Sequence, residues 1–155
     1  LAGFIKVIAM QIRQLLYFSL TSRNLSEQDL SELLEDSRER NIVHDVTGLL
    51  IYVGNYFIQH IEGPPSIIDR LTKNIRADNR ISDFTVLIDE TRTERMFPNW
   101  RMGFRTQSTS GVKGQSGFVN VIHPDDFDHL VPGGDKTRQI MKKFYDVNKD
   151  APQFH

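Results

Sequence analysis

The chain has 155 residues, 39% apolar and 25% charged, with 19 Lys and Arg against 20 Asp and Glu (net charge −1) and no cysteine. That is enough apolar material for one domain-sized core, and the charge balance lacks the basic footprint of a nucleic-acid binder. The absence of Cys excludes disulfides, thiolate zinc sites, iron–sulfur clusters and cysteine nucleophiles.

No apolar run reaches the roughly 18 residues of a membrane helix. The short apolar opening, residues 1–9, reads as an N-terminal extension rather than a signal peptide. A soluble, cytoplasmic protein is therefore expected. Gln11 to Leu20 reads as a strand with apolar residues on both faces, Leu15 and Tyr17 on one and Leu16, Phe18 and Leu20 on the other, which places it centrally in a sheet covered on both sides. Ser26 with Asp29 three residues on is a helix-capping pattern, and Leu30, Leu33, Leu34 and Ser37 form the buried stripe that follows.

A second strand runs from about Val46 through Val53. Gly54-Asn55 then suits a type II′ hairpin into a third strand, Tyr56 to Glu62, with Phe57, Gln59 and Ile61 on one side and Ile58, His60 and Glu62 on the other. After Gly63-Pro64-Pro65 a second helix extends from Ser66 to about Ala77. Phe84 to Asp89 is a fourth strand, Trp100 to Arg105 a fifth, and Asp135 to Tyr145 a short helix packed by Ile140, Met141 and Phe144.

The order βαββαββ implies an α+β, ferredoxin-like fold: a five-stranded mixed sheet with two helices on one face, plus a C-terminal helical extension. Residues 10–105 form the domain. Residues 106–155 are a linker rich in Ser, Thr, Gly and Gln, followed by the helical tail.

Catalytic patterns are thin. The five histidines are scattered without metal-ligand spacing, and no Walker or dinucleotide-binding glycine pattern occurs. No metal site is expected, and no enzyme. The informative residues are polar groups on faces that should be buried, Tyr17 and Gln59 above all, because a buried phenol or amide without a partner costs about 1–3 kcal/mol. Each has a plain structural alternative. Tyr17 can satisfy its hydroxyl at the core rim, Gln59 can face solvent, Asn41 can cap the first helix, and Trp100 and Met102 can be core.

Taken together, several segments stand in the order and spacing of one family. They are Tyr17-x-Ser19, Arg40-Asn41, the strand Thr47-Gly48-Leu49-Leu50, Phe57-x-Gln59-x-x-Glu62-Gly63, Asp78-Asn79-Arg80 and Phe97-Pro98-Asn99-Trp100-x-Met102. The chain from Gln11 to Phe104 resembles the BLUF family, the blue-light sensors using flavin adenine dinucleotide. The resemblance implies a five-stranded sheet with the flavin ring between the two helices. It also implies a photoreceptor that signals through light-driven electron and proton transfer from Tyr17, with Gln59 bridging the phenol to flavin N5 and O4.

On the same resemblance Tyr17, Ser19, Arg40, Asn41, Gln59, Ile75, Asp78 and Arg80 bind the cofactor, while Trp100 and Met102 relay the signal. Helix-stripe residues Leu33, Leu34 and Ile67 are further candidates to hold the ring. The cofactor is FAD, with FMN or riboflavin as alternatives. The partner is a separate downstream protein effector, or the protein acts by oligomerising, with neither nucleic acid nor membrane involved.

Rotation or tautomerisation of the Gln59 amide would rewire its hydrogen bonds without adding charge, a bistable element that light can bias. The sequence departs from the family pattern at Arg40, often Asn, at Asp45, usually small or Gly, and at Ile81, commonly His. The competing readings are a flavin-dependent redox enzyme and a cofactor-free ferredoxin-like interaction module.

Overall fold

The computed structural model describes residues 11–21, 25–98, 103–106 and 135–148. The extension at 1–9, most of the linker, and Trp100 and Met102 lie outside the described residues. In chain order the elements are β1 (Ile12–Thr21), α1 (Glu27–His44), β2 (Thr47–Val53), β3 (Tyr56–Gly63), α2 (Pro65–Arg76), β4 (Ile81–Arg92), β5 (Gly103–Thr106) and α3 (Asp135–Asn148). The fold is α+β. β1 pairs antiparallel with both β3 and β4, and β2 pairs antiparallel with β3. β5 runs parallel beside β2, so the sheet order is β4-β1-β3-β2-β5.

The two-sided apolar pattern of β1 has a direct cause. On one face Leu15, Tyr17, Leu50, Phe57 and Ile61 pack with Leu30 and Leu34 of α1 and Ile68 of α2. On the other, Leu16, Leu49, Ile51 and Ile58 pack with Met141 and Tyr145 of α3. α3 thus covers the second face of a sheet whose interior strands could not leave either face wet. Among the described residues, no helix is long and apolar enough to cross a membrane.

Local chemistry sets the boundaries. Ser26 Oγ accepts the Asp29 N–H at 3.1 Å while Asp29 Oδ2 accepts the Ser26 N–H at 3.0 Å, a closed capping box. Ser26→Ala is expected to destabilise the protein by about 1 kcal/mol in urea unfolding; an unchanged midpoint would show that the box contributes nothing. Gly54 has φ 60, as the first central residue of a type II′ turn requires.

Three boundaries differ from the sequence expectation. α1 continues past Asn41 to His44, because Leu30, Leu34, Ser37 and Asn41 fall on one buried stripe and no Gly or Pro interrupts it. The chain then turns at Asp45, which takes the left-handed conformation (φ 58) usually given to Gly. β4 is longer than the apolar core Phe84 to Asp89, since pairing with β1 extends it to Arg92. α3 runs on to Asn148.

Candidate functional site

Tyr17 and Gln59 occupy directly opposed positions of the β1–β3 ladder, so their side chains stand on the same face. Tyr17 Oη donates to Gln59 Oε1, and both residues are buried. The Tyr17 ring stacks on Phe84 of β4 with centroids 4.5 Å apart and planes at 27°, and the Arg76 guanidinium lies 4.4 Å from the Phe84 centroid. Burial pushes the Tyr17 phenol far above its ordinary pKa. The charge of Arg40 opposes that rise and Asp78 adds to it. The phenol therefore stays protonated across the physiological range and is a standing hydrogen-bond donor.

This pair forms part of the wall of a cleft of about 560 Å3 between the sheet, α1 and α2. All eight side chains singled out from the sequence as cofactor ligands line it: Tyr17, Ser19, Arg40, Asn41, Gln59, Ile75, Asp78 and Arg80. Leu33 lines it too, but Leu34 and Ile67 do not; Leu34 is sealed in the core, and Ile67 faces a neighbouring cleft. Asn41 stands within the last turn of α1, not beyond the helix.

Sequence reading missed Ser37, Leu50, Phe57 and Leu71 as lining residues, and gave Ile81 only a lost polar role. Periodicity holds the missing signal. Ser37 and Leu71 lie one helical turn before Asn41 and Ile75, Phe57 precedes Gln59 on the same strand face, and Leu50 is the cross-strand partner of Gln59. At the rim, Asp78 accepts from Arg80 Nη2 at 2.6 Å and Nε at 3.0 Å, and this hydrogen bonding holds its carboxyl below the usual range despite some burial.

A second polar cluster occupies the opposite sheet face. The fully buried Glu62 carboxylate accepts from the Met96 N–H at 2.9 Å, the Phe97 N–H at 2.5 Å and Gln14 Nε2 at 2.9 Å. Thr47 Oγ1 donates to it at 3.3 Å, and His60 Nε2 lies 3.3 Å away. Burial alone would raise this carboxyl, but the contact with His60 and the two backbone donors outweigh it and hold it below the usual carboxylate range.

A carboxyl with a lowered folded pKa contributes stability that is present above its unfolded pKa and lost as pH falls through the folded value. Unfolding midpoints should therefore be level above roughly pH 5 and fall below it. Glu62→Gln should be less stable at neutral pH and show a shallower acid decline; an identical acid limb would assign the pH dependence to other groups.

An α+β sheet domain with a buried tyrosine–glutamine pair in the wall of a cleft between sheet and helices defines a ligand-binding domain. Its lining suits a flat heteroaromatic ligand with one polar edge: Leu33, Leu50, Phe57, Leu71 and Ile75 supply apolar walls, and Asn41, Gln59 and Ser19 supply donors and acceptors. Residues 12–103, more than half of the chain, match the family described as sensors of blue-light using FAD, and the chain belongs to that family.

The chain is similar to the photoactivated adenylate cyclase subunit beta-like protein FB of Euglena gracilis, at 34% identity over 85 residues. The match covers 55% of this chain and 10% of the relative, so the chain spans about a tenth of the length of such relatives. Among solved structures, BlrB, a BLUF protein in its dark state, superimposes with a TM-score of 0.63 at 26% identity, covering 90% of this chain and 98% of that one. Klebsiella pneumoniae BlrP1, solved with FMN and cyclic diGMP, superimposes with a TM-score of 0.56 at 26% identity, over 60% of this chain and 25% of that one. The sensor function and the flavin cofactor follow from the family.

Proposed function

We propose that residues 10–105, with Gly103–Thr106 as the fifth strand of a ferredoxin-like sheet, are the photosensory domain, and that the Tyr17–Gln59 pair is its switch. The observation that carries this reading is the buried hydrogen bond from Tyr17 Oη to Gln59 Oε1 in the wall of the cleft. When bound, flavin would supply the absorption of blue light and an acceptor for one electron.

Tyr17 is the donor, and its Oη proton leaves along the hydrogen bond to Gln59. When electron and proton return to Tyr17, the Gln59 amide is left rotated or tautomerised, with its donors and acceptor rearranged at unchanged charge. Ser19, Arg40, Asn41, Ile75, Asp78 and Arg80 orient the cofactor, and the apolar walls keep water from the amide. Asn41 presents both amide functions, whereas Arg40 offers donors only and suits a carbonyl or phosphate oxygen.

The domain itself performs no catalysis. It works in the cytoplasm and passes its state to a protein effector or through oligomerisation, with residues 106–155 as linker and helical tail and Trp100 and Met102 as relay residues. The adenylate cyclase named in the Euglena relative is the kind of effector such a sensor controls.

The test is a visible spectrum of the purified protein in darkness and just after blue light. A flavin spectrum that moves slightly to the red and recovers in darkness is expected. Gln59→Leu should hold flavin without any shift, because Leu cannot hydrogen-bond the ring. A normal shift in Gln59→Leu would place the switch elsewhere. Flavin without a shift in the unmodified protein would favour a redox enzyme, and failure to take up flavin would favour an interaction module.

A further inference from the structure

Burying a carboxylate is costly unless other groups replace its water shell, and Glu62 lies outside the flavin cleft, on the other face of the sheet. Its partners show what it does. In the β1–β3 ladder Tyr17 pairs with Gln59, and three rungs along, on the opposite face, Gln14 pairs with Glu62. Each is a cross-strand pair joined by a side-chain hydrogen bond, and the two share the same two strands.

The Gln14–Glu62 pair also holds the segment that follows β4. Glu62 accepts the N–H groups of both Met96 and Phe97, and Gln14 Nε2 donates to the Glu94 carbonyl at 3.2 Å. Arg95 is fixed alongside, donating to Thr47 Oγ1 at 2.9 Å, to the Glu62 carbonyl at 3.2 Å and to the Asp45 carbonyl at 2.7 Å. Glu94 to Phe97 therefore hangs on side chains three residues from each member of the proposed switch.

We propose that Glu62 is a positioning residue. Its carboxylate, joined to β1 by Gln14, holds Glu94 to Phe97 in the dark arrangement and transmits to that segment any relative displacement of β1 and β3 caused by the Tyr17–Gln59 rearrangement. This rests on the photoreceptor reading above. Two strands joined by paired side chains cannot slide at one rung and stay fixed three rungs away. The segment that registers the slide is the one whose two consecutive amide protons end on Glu62. The signal thereby crosses the sheet, from the flavin face to the face covered by α3.

The experiment follows amide hydrogen exchange at Met96 and Phe97 in the flavin-loaded full chain, in darkness and under steady blue light. In the unmodified protein, light should change exchange at these two amides by about threefold or more. Glu62→Gln should abolish that light difference while keeping the red shift of the flavin spectrum, a separation that a general loss of stability does not produce.

Should Glu62→Gln fail to fold, Gln14→Met provides the second reading. It leaves the carboxylate and its two amide partners in place, and it should shrink the light difference about twofold or more at full spectral shift. Unchanged exchange at Met96 and Phe97 in an unmodified protein that does shift would overturn the proposal. A folded Glu62→Gln that loses the shift, or a Gln14→Met with the full light difference, would overturn it as well. An unmodified protein that binds flavin without shifting would instead refute the photoreceptor reading on which it stands.

Discussion

Tyr17→Phe is expected to bind flavin normally and to show no reversible red shift after blue light. The substitution removes a single atom, Oη. The ring keeps its stack on Phe84 at 4.5 Å, so the cleft retains its shape and its apolar wall. What goes is the only group at this position able to release a proton to Gln59 Oε1. A phenyl ring is also a far poorer electron donor than a phenol.

The lost hydrogen bond should lower stability by about 1 kcal/mol, a small change beside complete loss of the photocycle. The two readings, unfolding midpoint and light-minus-dark spectrum, separate damage to the fold from damage to the switch. A Tyr17→Phe protein that still cycles would show that another residue supplies the electron and proton.

The largest effect on stability is expected from Gly48→Ala. A β-carbon at Gly48 would lie 2.0 Å from the His60 carbonyl oxygen, 3.1 Å from its carbon and 3.2 Å from Ile61 Cα. All three are backbone atoms of β3, paired with β2 in the sheet interior, so no side-chain rotation relieves the clash. Forcing β2 and β3 apart should cost on the order of 3 kcal/mol or more. Because His60 follows Gln59, the same movement should withdraw the amide from Tyr17 and reduce the spectral shift in whatever fraction still folds. A urea midpoint equal to that of the unmodified protein would mean that the two strands can part without penalty. Gly48 is thus explained by the close approach of its neighbour strand, a physical reason for the Thr-Gly pair seen in the sequence.

Much of the Tyr17–Gln59 pairing is legible in the sequence, and the reason is local. Alternation along Gln11 to Leu20 and Tyr56 to Glu62 puts Tyr17 and Gln59 among apolar neighbours, where a phenol or amide needs a partner. Two cross-strand neighbours satisfy that need with each other. The capping box at Ser26 and the glycine turn at Gly54 are legible for the same reason, since each is written within a few residues.

What the sequence hides depends on contacts far apart in the chain. Glu62 looks like one member of an alternating strand face, because the donors that solvate it, the amides of Met96 and Phe97, lie 34 and 35 residues later. The end of α1 is hidden for another reason. Asp45 adopts a left-handed conformation that sequence assigns to Gly, and Arg95 compensates with an ion pair to the carboxylate at 3.0 Å and a bond to its carbonyl. α3 shows a periodic stripe but no indication of which sheet face it covers.

The stacking of Tyr17 on Phe84, with the Arg76 guanidinium near the same phenylalanine, has a consequence for endurance. A tyrosine that has lost an electron is a reactive species, and if its ring could swing it would meet side chains with which it should not react. Here the ring is stacked on Phe84, and the hydroxyl at its edge meets Gln59. On the proposed photocycle, the proton and electron would return to a phenol that has not moved. On that reading the sensor should fire repeatedly without losing its donor, and the number of flashes it survives would measure how firmly Phe84 holds the ring.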